Sequence, residues 1–183
     1  LLIHGASGGV GMAAVDLGKL LGATVIATGG SDAKLQRVLA YGADHIINTE
    51  HGFREEVKAL TGGRGADVIY DPVGGDIFDE STRCINFDGR LLIIGFTSGR
   101  IASVPTNIPL IKGFSVMGVR AGEYGRQFPE KGAENLLTIW DWVREGKTRP
   151  HVHAELPLSQ SVEGFRMLQQ REVIGKLVIC PDR

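Results

Sequence analysis

Two periods of apolar residues alternate along the chain. Residues 1–4 form a short, largely apolar run, and Val10, Ala13, Ala14, Leu17, Leu20 and Leu21 then recur at the spacing of one helix face. Residues 23–28 read as a strand and 32–41 as a helix, with Leu35, Val38 and Leu39 on one side. The alternation continues through a strand at 45–47, a helix at 53–60, a strand at 67–70, a helix at 77–85 and a strand at 90–96. Strands separated by helices need crossover connections, so the pattern predicts an open, doubly wound α/β domain around a mostly parallel sheet. A sixth strand, bounded by Phe114 and Val119, is expected at the sheet edge. Beyond it come a glycine-rich turn through Gly122 and Gly125 and a helix at 131–145 with Leu136, Ile139, Trp140 and Val143 on one face. A strand at 151–156, a helix at 159–169 and a strand at 176–179 complete the pattern.

Composition narrows the class. With 43% hydrophobic and 22% charged residues the chain is that of a folded domain. No apolar run approaches the roughly 20 residues of a spanning helix. Twenty basic against 21 acidic residues, a net charge of −1, give no basic surface for nucleic acid or an anionic membrane. Cys84 and Cys180, the two cysteines, sit in apolar stretches, which argues for core packing and for a reducing compartment such as the cytoplasm. The chain enters a strand pattern at once, with neither Met nor a signal-like segment before it, and is expected to be a piece of a longer protein.

Glycine is over-used: 26 of 183 residues, which is about 14% against an average near 7%. The first cluster, Ala6, Ser7, Gly8, Gly9, Val10 and Gly11, lies between a strand and a helix. Gly8 there lets the main chain approach a pyrophosphate, Gly11 lets helix and strand pack closely, and the helix N-terminus offers free N–H groups and a positive dipole end. Other glycine loops fit less well. Met12 follows Gly11 where a P-loop needs lysine. Short-chain dehydrogenases need a Tyr-x-x-x-Lys pair, but Tyr41, Tyr70 and Tyr124 are followed four residues on by His45, Gly74 and Phe128. Methyltransferases usually carry an acidic residue after the second strand, as NAD sites do for the ribose 2′-hydroxyl. Here that strand ends Thr28-Gly29-Gly30-Ser31, with Lys34 in the first turn of the next helix. A serine hydroxyl, a helix N-terminus and an ammonium suit a 2′-phosphate, so the cofactor reads as NADPH, held there by Gly30, Ser31 and Lys34. Ser31 also fits the role of helix N-cap, and both roles can coexist.

The ordered set of residues 6–11, 29–34, 41–44, 71–75, 89–96 and 175–178 resembles the medium-chain dehydrogenase/reductases of the NADPH:quinone oxidoreductase, or zeta-crystallin-like, group over essentially the whole chain. That resemblance implies a Rossmann domain at 1–121, a segment at 122–183 that returns to a substrate domain, and a GroES-like N-terminal substrate domain outside this chain. It implies that Gly8, Gly9 and Val10 contact the pyrophosphate, with Ala6 and Ser7 in the same loop. Asn48 would lie near the adenosine end, although many relatives have tyrosine where this chain has Thr49. Asp71, Val73, Gly95, Phe96 and Thr97 would border the adenine and nicotinamide ribose at the strand ends; Asp71 equally fits a cap on its following turn. The implied activity is hydride transfer from NADPH to a quinone or similar conjugated acceptor, in a homodimer joined through the Phe114 to Val119 strand, with little turnover by this piece alone. Three alternatives stay open: an enoyl-thioester or enone reductase, a zinc-type alcohol dehydrogenase, and a structural protein that binds NADPH without turnover. No catalytic residue and no metal site are assigned within the chain. His4 reads as a satisfied core histidine, His151 and His153 as a surface pair on one strand face, and Trp140 and Trp142 as packing residues.

Overall fold

A computed structural model of the chain describes residues 1–181. Short β-rich runs become strands because each is flanked by residues that stop it, and helices carry the chain back. The elements are β1 (Leu2–Ile3), α1 (Gly9–Leu20), β2 (Ile26–Gly29), α2 (Asp32–Tyr41), β3 (His45–Asn48), α3 (Arg54–Leu60), β4 (Ala66–Asp71), α4 (Asp76–Ser81), β5 (Ile85–Ile93), α5 (Asn107–Lys112) and β6 (Ser115–Gly118). The six strands form one parallel sheet in the order β3-β2-β1-β4-β5-β6, as the alternation predicts. Leu2 pairs with Ile26 on one side and with Ile69 on the other. The winding therefore reverses between β1 and β4, and a crevice opens beyond the C-terminal ends of these strands.

Alternating strand residues feed two cores. Leu2, Ile26, Ile47, Ile69 and Leu91 pack with Phe53, Val57 and Phe78 beneath α3 and α4. Ile3 and Ala27 face the other way, onto Met12 and Val15 of α1 and Val38 of α2. Leu2 and Ile3 are wholly buried, and each such side chain contributes about 1.5–3 kcal/mol of transfer free energy. Glu80 of α4 steadies the start of α3, since its Oε1 accepts from the Phe53 and Arg54 N–H groups at 2.7 and 2.8 Å.

Four local differences from the sequence pattern have physical causes. α4 stops at Ser81, and β5 starts at Ile85 instead of residue 90, because a turn with Asp88 at φ 61° lets the strand pair twice, Ile85 with Ala66 and then Arg90 with Val68. β5 ends at Ile93, and residues 95–97 fold back so that the Thr97 N–H meets the Pro72 carbonyl at 3.1 Å. The expected turn at Gly122 and Gly125 is instead helix α6 (Ala121–Gln127). Its glycines cost helix propensity, but Gly132 of α7 (Pro129–Arg144) lets that helix approach Gly125 closely. A Cβ on Gly132 would lie 2.9 Å from the Gly125 Cα. Helix α5 escapes the apolar period because it is one short turn and a half, and its Pro109 falls in the first turn, where no N–H is needed.

The remaining elements are β7 (Val152–Pro157), α8 (Ser161–Gln169) and β8 (Lys176–Cys180). β7 and β8 make a separate two-stranded parallel sheet under α8, where Gly164 sits against Leu156, Leu177 and Ile179. Leu136, Ile139, Trp140 and Val143 do share one helix face, yet all four are exposed, as are Val162, Phe165 and Leu168 of α8. Main-chain atoms join this region to the first: Gly175 N–H donates to the Ser7 carbonyl at 2.8 Å, and Gly8 and Gly175 form a parallel bridge. Among the described residues no helix is long and apolar enough to cross a membrane.

Candidate functional site

The glycine loop leaves β1 under tight local control. Gly5 has φ +57°, the Ala6 N–H donates to the Thr28 carbonyl at 3.0 Å, and the Gly8 N–H returns to the Gly5 carbonyl at 3.0 Å. A Cβ on Gly11 would collide with the backbone of Gly5 and Ala6, so only glycine brings α1 this close to its strand. Gly8 caps α1 without a side chain, and the first turn holds no acidic residue. The first-turn N–H groups and the positive dipole end are therefore left without a capping side chain or an acidic neighbour. Gly8 and Val10 are exposed and Ala6 is buried, so the loop presents its second half outward.

Lys176 adds a charge that the sequence pattern does not place. Its stem lies over Gly9, where a Cβ would come within 2.6 Å of Cδ and Cε and 2.8 Å of Nζ. A cation beside a helix N-terminus is electrostatically unfavourable unless an anion lies between them. Among the described residues no carboxylate pairs with it. Its sequence signal is the Gly175-Lys176 pair, whose meaning depends on where residue 175 docks.

A second group of residues gathers at the end of β2. Ser31 caps α2 in extended geometry, but its side chain makes no capping bond, so its hydroxyl is available. Gly30 opens onto free space. Asn48, at the end of β3, donates through Nδ2 to Asp32 at 2.7 Å and accepts the Glu50 N–H at 3.0 Å. Lys34 reaches across to the carbonyls of Arg171 and Val173.

At the ends of β4 and β5, Asp71 is buried and its Oδ1 accepts from the N–H groups of Val73 at 2.8 Å and Gly74 at 2.9 Å. Burial raises its carboxyl, and these two bonds oppose the rise. Asp71 therefore does cap its turn, which holds Val73 at the crevice. Gly95 passes the Pro72 carbonyl so closely that a Cβ would lie 3.2 Å from it, and the exposed Phe96 and Thr97 follow. A cavity of about 100 Å³ lies beneath, lined by Asp71, Gly74, Phe78, Gly95 and Phe96.

His4 is spent on structure. Ser81 Oγ donates to the Ile77 carbonyl at 2.7 Å, so at its 2.8 Å contact with His4 Nε2 it accepts. His4 Nδ1 is then the acceptor from Thr28 Oγ1, at 2.7 Å. Burial lowers its pKa to about 3, leaving a neutral, fully bonded ring. Cys84 is likewise buried, its thiol pushed up to about 12, so it stays protonated. His151 and His153 serve different partners: His151 meets the Tyr41 ring edge at 6.2 Å, and His153 Nδ1 accepts the Ile174 N–H at 3.4 Å. Trp140 is half exposed on α7. Among the described residues no three His, Cys, Asp or Glu side chains are grouped to hold a metal ion.

This arrangement suits a long ligand with two anionic parts, one at α1 and one at α2, laid across the strand ends. Comparison with known proteins finds relatives along nearly the whole chain. The sequence model of the zinc-binding dehydrogenases matches residues 9–137. Quinone oxidoreductase-like protein 2 of Bos taurus is 36% identical over 181 residues, covering 98% of this chain and 52% of its own length. The 2-haloacrylate reductase of Burkholderia sp is 30% identical, over 100% of this chain and 55% of its own. Escherichia coli quinone oxidoreductase, solved in complex with NADPH, superposes with a TM-score of 0.87 at 30% identity, covering 98% of this chain and 56% of that one. The chain thus spans about half the length of the curated relatives it matches.

Proposed function

The chain belongs to the zinc-binding dehydrogenase family, and on that premise we propose that it is the NADPH-binding part of an oxidoreductase that passes hydride to a quinone or a similar conjugated acceptor. The cradle at the start of α1 carries this reading: an uncapped helix end without an acidic first turn, faced by the Lys176 ammonium. A pyrophosphate between them would relieve their repulsion and accept from the free N–H groups. Gly8, Gly9 and Val10 make that contact, with Ala6 and Ser7 shaping the turn. Gly30, Ser31 and Lys34 take the 2′-phosphate, and Asn48 lies at the adenosine end. Asp71, Val73, Gly95, Phe96 and Thr97 border the riboses.

When bound, NADPH supplies hydride from its nicotinamide ring. The chain's own residues orient the ring and keep water from it. Residues 1–121 form the dinucleotide-binding unit, and 122–183 complete a substrate domain whose remainder lies outside these residues. The exposed apolar faces of α7 and α8 support that division, since large apolar patches mark interfaces. Strand β6, an edge strand that carries exposed Met117 and is followed by exposed Val119, suits pairing with a second copy. Among the described residues no group of side chains suits a zinc ion. The cytoplasm is the compartment proposed. The similarity to a haloacrylate reductase favours a second reading, in which the hydride goes to a conjugated alkene.

Titration with NADPH and NADH, followed by nicotinamide fluorescence and repeated on Lys34→Ala, tests the reading. Charge-assisted bonds worth about 1.5–3 kcal/mol should make NADPH bind about 10–100-fold tighter, a gap the variant loses. Equal affinities would remove the 2′-phosphate assignment, and binding of neither nucleotide would overturn the cradle. Assays of the full-length protein with quinones and enoyl-CoA esters separate the acceptors, and binding without turnover of either would mean a structural nucleotide-binding protein.

A further inference from the structure

Helix α8 ends in a left-handed residue. Arg171 has φ 57°, its N–H bonds the Leu168 carbonyl at 3.1 Å, and the Glu172 N–H bonds the Met167 carbonyl at 3.0 Å. This reversal leaves the Arg171 and Val173 carbonyls for Lys34, whose Nζ donates to both, at 3.4 Å to Val173. Val173 is buried, and Ile174 packs against the core beneath α1 and α2. Gly175, at φ 72° and with no room for a Cβ beside the His151 carbonyl, then bonds Ser7, and Lys176 crosses Gly9. One short strip, residues 171–176, thus touches the first turn of α2 at one end and the first turn of α1 at the other.

We infer that the strip 171–176 is a brace that positions the Lys34 ammonium for the cofactor's 2′-phosphate, so that filling this subsite and ordering the strip are coupled. The inference rests on Lys34 being the 2′-phosphate ligand. An ammonium has three donors; two go to the carbonyls, which fixes the direction of the third. Carbonyl oxygens carry only partial charge, and among the described residues Lys34 forms no ion pair, so the cation is held without being neutralised. Holding a flexible side chain before the ligand arrives removes the cost of ordering it on binding. Coupling is reciprocal, so a phosphate bound to Lys34 stabilises the strip in turn.

Amide hydrogen exchange on the full-length protein reads this directly. The N–H groups of Glu172, Ile174, Gly175 and Lys176 are hydrogen-bonded within the protein, so they exchange only when the strip opens. With saturating NADPH they are expected to exchange about 10-fold more slowly than with saturating NADH, the effect of one charge-assisted hydrogen bond. Lys34→Met should abolish that difference, and Lys34→Arg, which keeps a cation, should restore part of it. Equal protection by both nucleotides in a protein that still binds NADPH more tightly would overturn the brace and leave the Lys34 assignment standing. A difference that survives in Lys34→Met would overturn the brace as well. Absence of any NADPH preference would overturn both.

Discussion

Replacing Lys176 with methionine should move stability and nucleotide binding in opposite directions. Methionine keeps most of the apolar stem that lies over Gly9 and removes only the charge. In the native structure that charge sits at the mouth of α1, 2.8 Å from where a Gly9 Cβ would be, within the turn on which the helix dipole acts. A charge of the wrong sign there costs about 0.3–1 kcal/mol. Without nucleotide, Lys176→Met should therefore raise the melting temperature by about 1–4 °C for a domain of this size. With nucleotide, the same change removes a charge-assisted bond to the pyrophosphate, worth about 1.5–3 kcal/mol, and affinity should fall about 10–100-fold for NADPH and NADH alike. Circular dichroism melts of the nucleotide-free protein and fluorescence titrations of both variants give the two numbers. A fall in melting temperature would show that Lys176 serves packing, and an unchanged affinity would show that the pyrophosphate lies elsewhere; either result refutes the cradle argument.

Two further outcomes test the structural half of the site. His4 is held neutral with a folded pKa of about 3 against an ordinary 6.5, so its stabilisation is whole above pH 6.5. It is lost as pH falls toward 3, by up to about 1.4 kcal/mol per pH unit; urea unfolding in this window should show a shallower acid slope for His4→Gln, and equal slopes would disprove the assignment. Gly11→Ala should destabilise by about 1–3 kcal/mol, because its methyl meets the backbone of Gly5 and Ala6. A neutral Gly11→Ala in thermal melts would mean that the loop yields more readily than its close contacts imply.

Sequence reading succeeds where one local pattern decides the outcome. Residues 1–41 show a strand, a glycine loop, a helix, a strand and a helix because the change from a continuous run to a helical period coincides with Gly8 and Gly9, and the structure follows that order. It fails at Gly122 and Gly125, where glycine signals a turn but α7 packing against Gly125 keeps a helix. It also fails at residue 85, since the start of β5 depends on pairing with Ala66 rather than on local composition. The placement of the glycine loop, Ser31 and Lys34 at helix starts is legible because strand, glycine and helix signals meet there in the sequence. Lys176 and the carbonyl partners of Lys34 are not, because they approach from more than a hundred residues away. The period of α7 tells which residues share a face but not what covers it.

The junction at Gly8 and Gly175 is made of main-chain atoms, which has a consequence for how this chain can vary. Apart from His153, whose Nδ1 accepts the Ile174 N–H, and the packed Val173 and Ile174, side chains along 149–174 can drift with little effect on that junction. The length of the segment cannot. Adding or deleting one residue between Arg149, whose carbonyl accepts from Tyr41, and Gly175 would displace the bridge by about 3.3 Å and put a side chain where only glycine fits. Tolerance to substitution combined with intolerance to insertion or deletion is the pattern expected there, and it would be visible in a library that varies both.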